Sequence, residues 1–413
     1  QEQAARNLRE ALQSFWLAYI LVTTEMGGCC PGGGIGLGRP DQYLLPYYQR
    51  DLAEGRLTRE QALELMEVFL ISFRHEDYFT PHQFATPGSQ ASLGGVTPLG
   101  QDAWNELTEV LLEASLRVQF GTPYLSLRLH KGMSDHAWKL AANYILGGLG
   151  FPIVNDEVLI PAFLKHGRAL YDARDYICSC CYEHTIPGRE AFHPNGAYLN
   201  LPLVLELALT GGLSLLTGEQ LGPATTPLSE MERFDEVVEA LFTQLAAARE
   251  KMARLVNHTD ASHCANRRYP LMSVLMEDCI GRGKDVCAGG ARYNLTGCIV
   301  AGLPNVVNSL AALRQRVFEQ GCCTPAELLE ALERDFDGEE ELRRLLLSAP
   351  KWGNGEAETD SLARLVTDRL YAEYKGLTNA RGGRWQVALY SFMAHWGLGE
   401  VCGASADGRD RKS

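Results

Sequence analysis

The chain has 413 residues, 46% of them hydrophobic and 22% charged, proportions of a globular protein with room for a large buried core. A net charge of −13 argues against a nucleic acid or an anionic membrane surface as partner. Length alone allows two or three domains or one large α/β barrel.

In chain order, the first predicted element is a helix over residues 4–22, where Ala5, Leu8, Leu12, Phe15, Trp16 and Tyr19 form one apolar stripe. Its run "FWLAYILV" is too short to cross a bilayer and lacks the flanks of a signal peptide. The sequence opens on Gln rather than Met, so the natural N-terminus is expected upstream. Residues 27–42, "GGCCPGGGIGLGRPDQ", have the glycines of a phosphate cradle. However, no G-x-G-x-x-G frame closes, no Lys-Ser/Thr follows and a helix precedes, so a glycine-rich turn is expected.

Thr58 with Gln61 is a capping box that opens "REQALELMEVFLISF" as a helix. In "YLSLRLH", Leu125, Leu127 and Leu129 alternate with Ser126, Arg128 and His130, the period of a strand. "FPIVND" also reads as a strand. Thr324, Pro325 and Glu327 open a further helix, and a charged one is predicted over about 357–375. "WQVALYSFMAH" reads as a last strand. Helices and strands alternate without a linker, a repeat or a low-complexity tract, which predicts one α/β domain, most simply a barrel.

The densest chemistry lies in "YICSCCYEHTIPGRE", residues 176–190. A metal clamp from Cys178, Cys180, Cys181 and His184 is disfavoured, because neighbouring side chains diverge on an extended backbone; no metal is expected. Twelve cysteines are sparse for this length and nothing directs them outside the cell, so reduced thiols in a cytoplasm are expected. Three inert, buried thiols are the plain reading of the stretch. In the catalytic reading Cys181 and Glu183, at i and i+2, share a face and reach one substrate. The sulfur then acts as a thiolate with His184 as its base, or as a thiyl radical beside a proton-moving carboxylate. The residues alone leave these open. For Glu183 the ordinary alternative is an ion pair with Arg174 or Arg189.

Several separate blocks resemble the glycyl radical enzymes, the family that includes pyruvate formate-lyase and the choline, glycerol and propanediol lyases. The family's cysteine loop reads G-C-V-E-P before a G-K/R turn; here it is "CCYEHTIPGRE", with Cys180 in place of Gly, Tyr182 of Val and His184 of Pro. "GRPDQYLLPYYQRDLAEGRLTREQALEL", "PYLSLRLH", "GFPIVNDEVLIPAF" and "DARDY" match upstream of it. "GGARYNLTGCIVAGLPNVVNSLAAL" and "NARGGRWQVALYSFMAHWGLGEVCGASADGR" match downstream.

The resemblance implies that residues 1–413 are a catalytic domain with part of a ten-stranded α/β barrel of two antiparallel half-barrels, surrounded by helices. It implies Cys181 as radical cysteine and Glu183 as acid/base. It further implies a radical-SAM activating enzyme as partner, a small-molecule substrate, a homodimer, and anaerobic chemistry in the cytoplasm, with no bound cofactor. The stored radical of the family sits on a glycine in a motif like R-V-x-G-[YF], which does not occur in this chain. A barrel portion truncated at both ends is therefore expected.

The C-x-E spacing points to a lyase or dehydratase. Adjacent Cys180 and Cys181 resemble the acyltransferase pair instead, and an inactive barrel remnant is the non-catalytic alternative. The diol dehydratases carry an Asp where Asn195 stands, which keeps a hydrogen bond to a hydroxyl but not the proton transfer. His184 and His193 complete the expected substrate-binding set.

Overall fold

The structure is a computed structural model that describes residues 3–26, 35–73, 89–149, 152–179, 183–389 and 394–411. It is α/β, as expected, and divides into two compact units. Unit 1 comprises Gln1–Ala191, Arg268–Val286 and Gly290–Arg292; unit 2 comprises Phe192–Arg267, Cys287–Gly289 and Tyr293–Ser413.

Unit 1 is built on a parallel sheet of β1 (Gln90–Gly94), β2 (Tyr124–Leu129) and β3 (Ile153–Asn155), in that order. The helices Leu8–Glu25, Arg59–Ser72 and Glu106–Val118 bury their apolar stripes together with β1 and β2. The first helix starts where Asn7 accepts from the Glu10 amide at 2.9 Å, and it buries Leu8, Leu12 and Tyr19 of the predicted stripe. The second starts at the predicted capping box, with Gln61 N 3.2 Å from Thr58 Oγ1 and Thr58 N 2.9 Å from Gln61 Oε1.

The predicted strand is present as β2, and its alternate polar positions are buried: Ser126 and Arg128 are both 0% exposed. As the middle strand of a parallel sheet, β2 is covered on both faces, and its second face holds a buried polar network rather than solvent.

Beyond the sheet, β4 (Ile177–Cys178) and β5 (His184–Thr185) form a short antiparallel pair, and the division between the units falls within β6 (Glu190–Asn200). In unit 2, β7 (Tyr293–Ala301) lies between β6 and β8 (Trp385–Leu389) and runs parallel to β8. Around this sheet pack the helices Leu201–Leu209, Phe234–Asn266, Leu303–Ala312, Pro325–Glu333 and Ala357–Tyr374. Leu205, Leu241, Val307, Leu332 and Val366 lie in their common core. The Thr324/Glu327 capping box and the helix expected over about 357–375 are both present. Of "WQVALYSFMAH", only Trp385–Leu389 is strand among the described residues, and His395 begins a short helix. Among the described residues the strands form three sheets and do not close into a barrel.

Candidate active site

On either side of residues 180–182, β4 and β5 pair as the two arms of a short antiparallel hairpin in unit 1. Ile177 pairs with Thr185 and Cys178 with His184, and the Ser179 amide donates to the Glu183 carbonyl at 2.8 Å. Cys180, Cys181 and Tyr182, between those two closed ends, lie outside the described residues. Glu183 follows directly and is only 4% exposed.

Close packing against β1 and the glycine-rich segment fixes this hairpin. The Cys178 amide donates to Ser92 Oγ at 2.9 Å, and Ser92 Oγ lies 2.6 Å from Ser126 Oγ. Gly36 bridges to Gln90, and a Cβ on Gly36 would sit 2.7 Å from Ile177 Cδ1 and 3.0 Å from Ser179 Cβ. The glycine that "GIGLG" supplies here therefore serves a close backbone approach, and residues 27–34 lie outside the description.

Beneath the hairpin sits a cluster that sequence reasoning missed. Arg128 donates from Nε and Nη2 to Asp156 at 3.1 and 2.9 Å, and to the carbonyls of Tyr176 (2.9 Å) and Arg174 (2.8 Å). Its guanidinium lies 4.0 Å over the Tyr176 ring, whose hydroxyl donates to Asp156 Oδ1 at 2.7 Å. Asp156 Oδ2 also accepts from the Val96 amide at 2.8 Å. A buried ion pair needs this many partners to offset its desolvation. The cluster ties β2, Val96 just beyond β1 and the start of the helix Asp156–Lys165 to the residues that enter the hairpin. An arginine inside a strand of otherwise apolar and hydroxyl residues was the available signal.

Burial sets the protonation of the groups around Glu183. It pushes the Cys178 thiol up to about 12; the Glu183 charge adds to this, and the hydroxyls of Ser126 and Ser92 with the Arg128 charge oppose it. Cys178 is therefore a protonated, inert thiol, as the plain reading expected for it. Burial, and then Arg128, push the His184 imidazole down to about 4. His184 is thus neutral at pH 7 and a poor base for a thiol, which weakens the thiolate–imidazole reading. Its ring meets Tyr176 edge-on, with centroids 5.8 Å apart, and its Nε2 is buried without a hydrogen-bond partner among the described residues.

The arginines expected as ion-pair partners of Glu183 are engaged elsewhere. Arg189 binds Glu277 (3.0 Å), Asp175 (3.3 Å) and Asp172 (3.4 Å), while Arg174 reaches the Pro98 carbonyl at 3.4 Å. His193 belongs to unit 2, where its Nδ1 lies 3.2 Å from Asp260 Oδ1. The Asn195 side chain lies outside the description. Among the described residues no group of three or more His, Cys, Asp and Glu is placed to hold a metal ion. Nor is any of their helices long and apolar enough to cross a membrane.

Comparison with known proteins places these features in a family. The chain is 32% identical over 412 residues to (2S)-3-sulfopropanediol dehydratase of Klebsiella oxytoca, covering 97% of this chain and 49% of that protein. It is 30% identical to trans-4-hydroxy-L-proline dehydratase of Clostridioides difficile, covering 97% of this chain and 51% of that one. A glycerol-bound B12-independent glycerol dehydratase from Clostridium butyricum superposes with a TM-score of 0.91 at 33% identity, over 99% of this chain and 52% of that one. The chain thus spans about half the length of the curated relatives it matches. The pyruvate formate lyase-like family model matches residues 1–399, and the chain belongs to that family.

Proposed function

We propose that this chain supplies the catalytic domain of a glycyl-radical lyase of the C-x-E type, acting on a small polar substrate that bears a hydroxyl or another leaving group. In this reading the described sheets are parts of the two half-barrels of the family's ten-stranded barrel. The observation that carries the proposal is Glu183: a buried carboxylate two residues after Cys181, on a hairpin held from below by Arg128, Asp156 and Tyr176. The dehydratase names of the relatives point the same way.

A stored radical, carried in the family on a glycine outside the blocks matched here, supplies the one-electron oxidation of the Cys181 thiol. Cys181 then takes a hydrogen atom from a substrate carbon and returns to the thiol, leaving a carbon radical. Glu183 moves the proton that accompanies loss of the neighbouring leaving group, and the thiol gives its hydrogen atom back to the product radical. His184, neutral and with a buried ring nitrogen, serves binding rather than charge transfer. Asn195 offers a hydrogen bond to a substrate hydroxyl. The expected partners are a radical-SAM activating enzyme and a second copy of the chain, in an anaerobic cytoplasm.

The test complements the chain with a polypeptide carrying the family's radical glycine motif, adds the activating enzyme, and offers diols. Glu183→Gln is expected to abolish elimination and Cys180→Ser to be tolerated. The reverse pattern, with acyl transfer from a 2-oxo acid, would assign the chemistry to the Cys180–Cys181 pair.

A further inference from the structure

Unit 2 contains a second polar centre, built from side chains far apart in sequence. His193 comes from β6, Asp260 from the helix Phe234–Asn266, Thr296 from β7, and Asn379 and Arg381 from the segment before β8. Asp260 is 3% exposed. Its Oδ1 faces His193 Nδ1 at 3.2 Å, and its Oδ2 faces Thr296 Oγ1 at 3.3 Å and Arg381 Nε at 3.5 Å.

Thr296 Oγ1 accepts from Asn379 Nδ2 at 2.8 Å and from Arg381 Nη2 at 3.2 Å. Both hydroxyl lone pairs are thereby used, so its one proton is directed at Asp260. Asn379 is itself anchored on the Asn294 carbonyl at 2.8 Å. Burial pushes the Asp260 carboxyl up, but the His193 hydrogen bond, the Arg381 charge and the Thr296 hydroxyl together hold it below the usual carboxylate range. An ionised carboxylate only accepts, so a neutral His193 must carry its proton on Nδ1. The His193 side chain is 37% exposed, and its Nε2 makes no hydrogen bond among the described residues.

We propose that Asp260 is a positioning residue that fixes the His193 ring and offers its Nε2 as a proton acceptor to a hydroxyl-bearing ligand. The cost of burying a carboxylate, a guanidinium and two polar side chains to orient one half-exposed ring is the mark of a functional site rather than of packing. The other titratable groups around the ring are His263, on the same helix as Asp260, Arg267, which caps that helix's C-terminus, and Arg381. Burial, and then Arg267, keep His263 below the ordinary imidazole value, so it adds no cation there at neutral pH.

The test uses the chain itself with 15N-labelled histidine rings, the His193 signals being assigned by His193→Gln. In its neutral form His193 is expected as a single tautomer, with the proton on Nδ1 and a bare Nε2. Asp260→Asn, checked for folding by circular dichroism, is expected to lose that single tautomer, and Asp260→Glu to keep it. Glycerol, the hydroxyl probe, is expected to shift the Nε2 resonance of the native chain and to lose this effect in Asp260→Asn. A native His193 protonated on Nε2, or an Nε2 resonance indifferent to glycerol, overturns the proposal, and both readings stand even if Asp260→Asn does not fold. Because neither readout involves radical chemistry, the result stands apart from the roles given to Cys181 and Glu183.

Discussion

The hairpin region of unit 1 and the His193 centre of unit 2 both build on a buried aspartate, yet they put it to opposite uses. Asp156 is paired with an arginine that is 0% exposed, and its side-chain partners, Arg128 and Tyr176, are both fully buried. Burial there quiets titration: the Cys178 thiol rises to about 12 and the His184 imidazole falls to about 4. Asp260 instead backs a ring that is 37% exposed, and leaves one ring nitrogen open. A closed polar cluster sets geometry, whereas a cluster with one exposed member offers chemistry.

The sharpest way to break the first half of this comparison is Arg128→Ala. It strands Asp156 and the carbonyls of Arg174 and Tyr176 without their donor, and losing one partner of a buried pair costs about 3–5 kcal/mol. Urea unfolding of the chain measures this, and a loss below about 1 kcal/mol would mean water replaces the guanidinium.

Gly95→Ala probes the same cluster more gently. Gly95 has φ +74°, and an added Cβ would lie 2.7 Å from Arg128 Nε and 2.8 Å from Asp156 Oδ2. The left-handed backbone alone costs about 1–3 kcal/mol for a residue with a side chain. The same unfolding assay should show a shift at least that large, because the Arg128–Asp156 pair must also move. A neutral substitution would show the pair to be loosely held.

His184 predicts a pH dependence of definite sign. Its folded pKa, near 4, lies below the unfolded value, so the native state binds fewer protons between about pH 6.5 and 4. The stability it contributes is complete above about pH 6.5 and is lost as the pH falls through 4. His184→Phe, compared with wild type at pH 7 and pH 4.5, should reduce that loss. An unchanged slope would place the ring in contact with solvent.

Local signals in the sequence were dependable because they involve neighbours. The capping boxes at Thr58/Gln61 and Thr324/Glu327 and the helix Ala357–Tyr374 follow from spacing over a few residues. The 33-residue helix Phe234–Asn266 was legible too, since Val237, Ala240, Leu241, Gln244 and Leu245 follow an i, i+3, i+4 stripe, yet it went unread. The family resemblance rested on contiguous blocks and was sound.

The partners of the site residues were not legible. Nothing in the spacing joins Arg128 to Asp156 or Tyr176, and 67 residues separate His193 from Asp260. Such pairs exist once strands and helices from distant segments stack, and no short-range period encodes them. Period-two alternation likewise does not tell a wet face from a buried polar one, and Arg128 is 0% exposed on the middle strand of a parallel sheet.

The most direct test of the central claim separates hydrogen abstraction from elimination. The chain, complemented with the radical glycine motif and activated, is given a diol deuterated at the hydroxyl-bearing carbon. With Glu183→Gln the account predicts recovered diol that has exchanged deuterium for protium at that carbon, with no aldehyde formed and with exchange abolished by a further Cys181→Ala. Elimination at the native rate in Glu183→Gln, or exchange that survives Cys181→Ala, would contradict it.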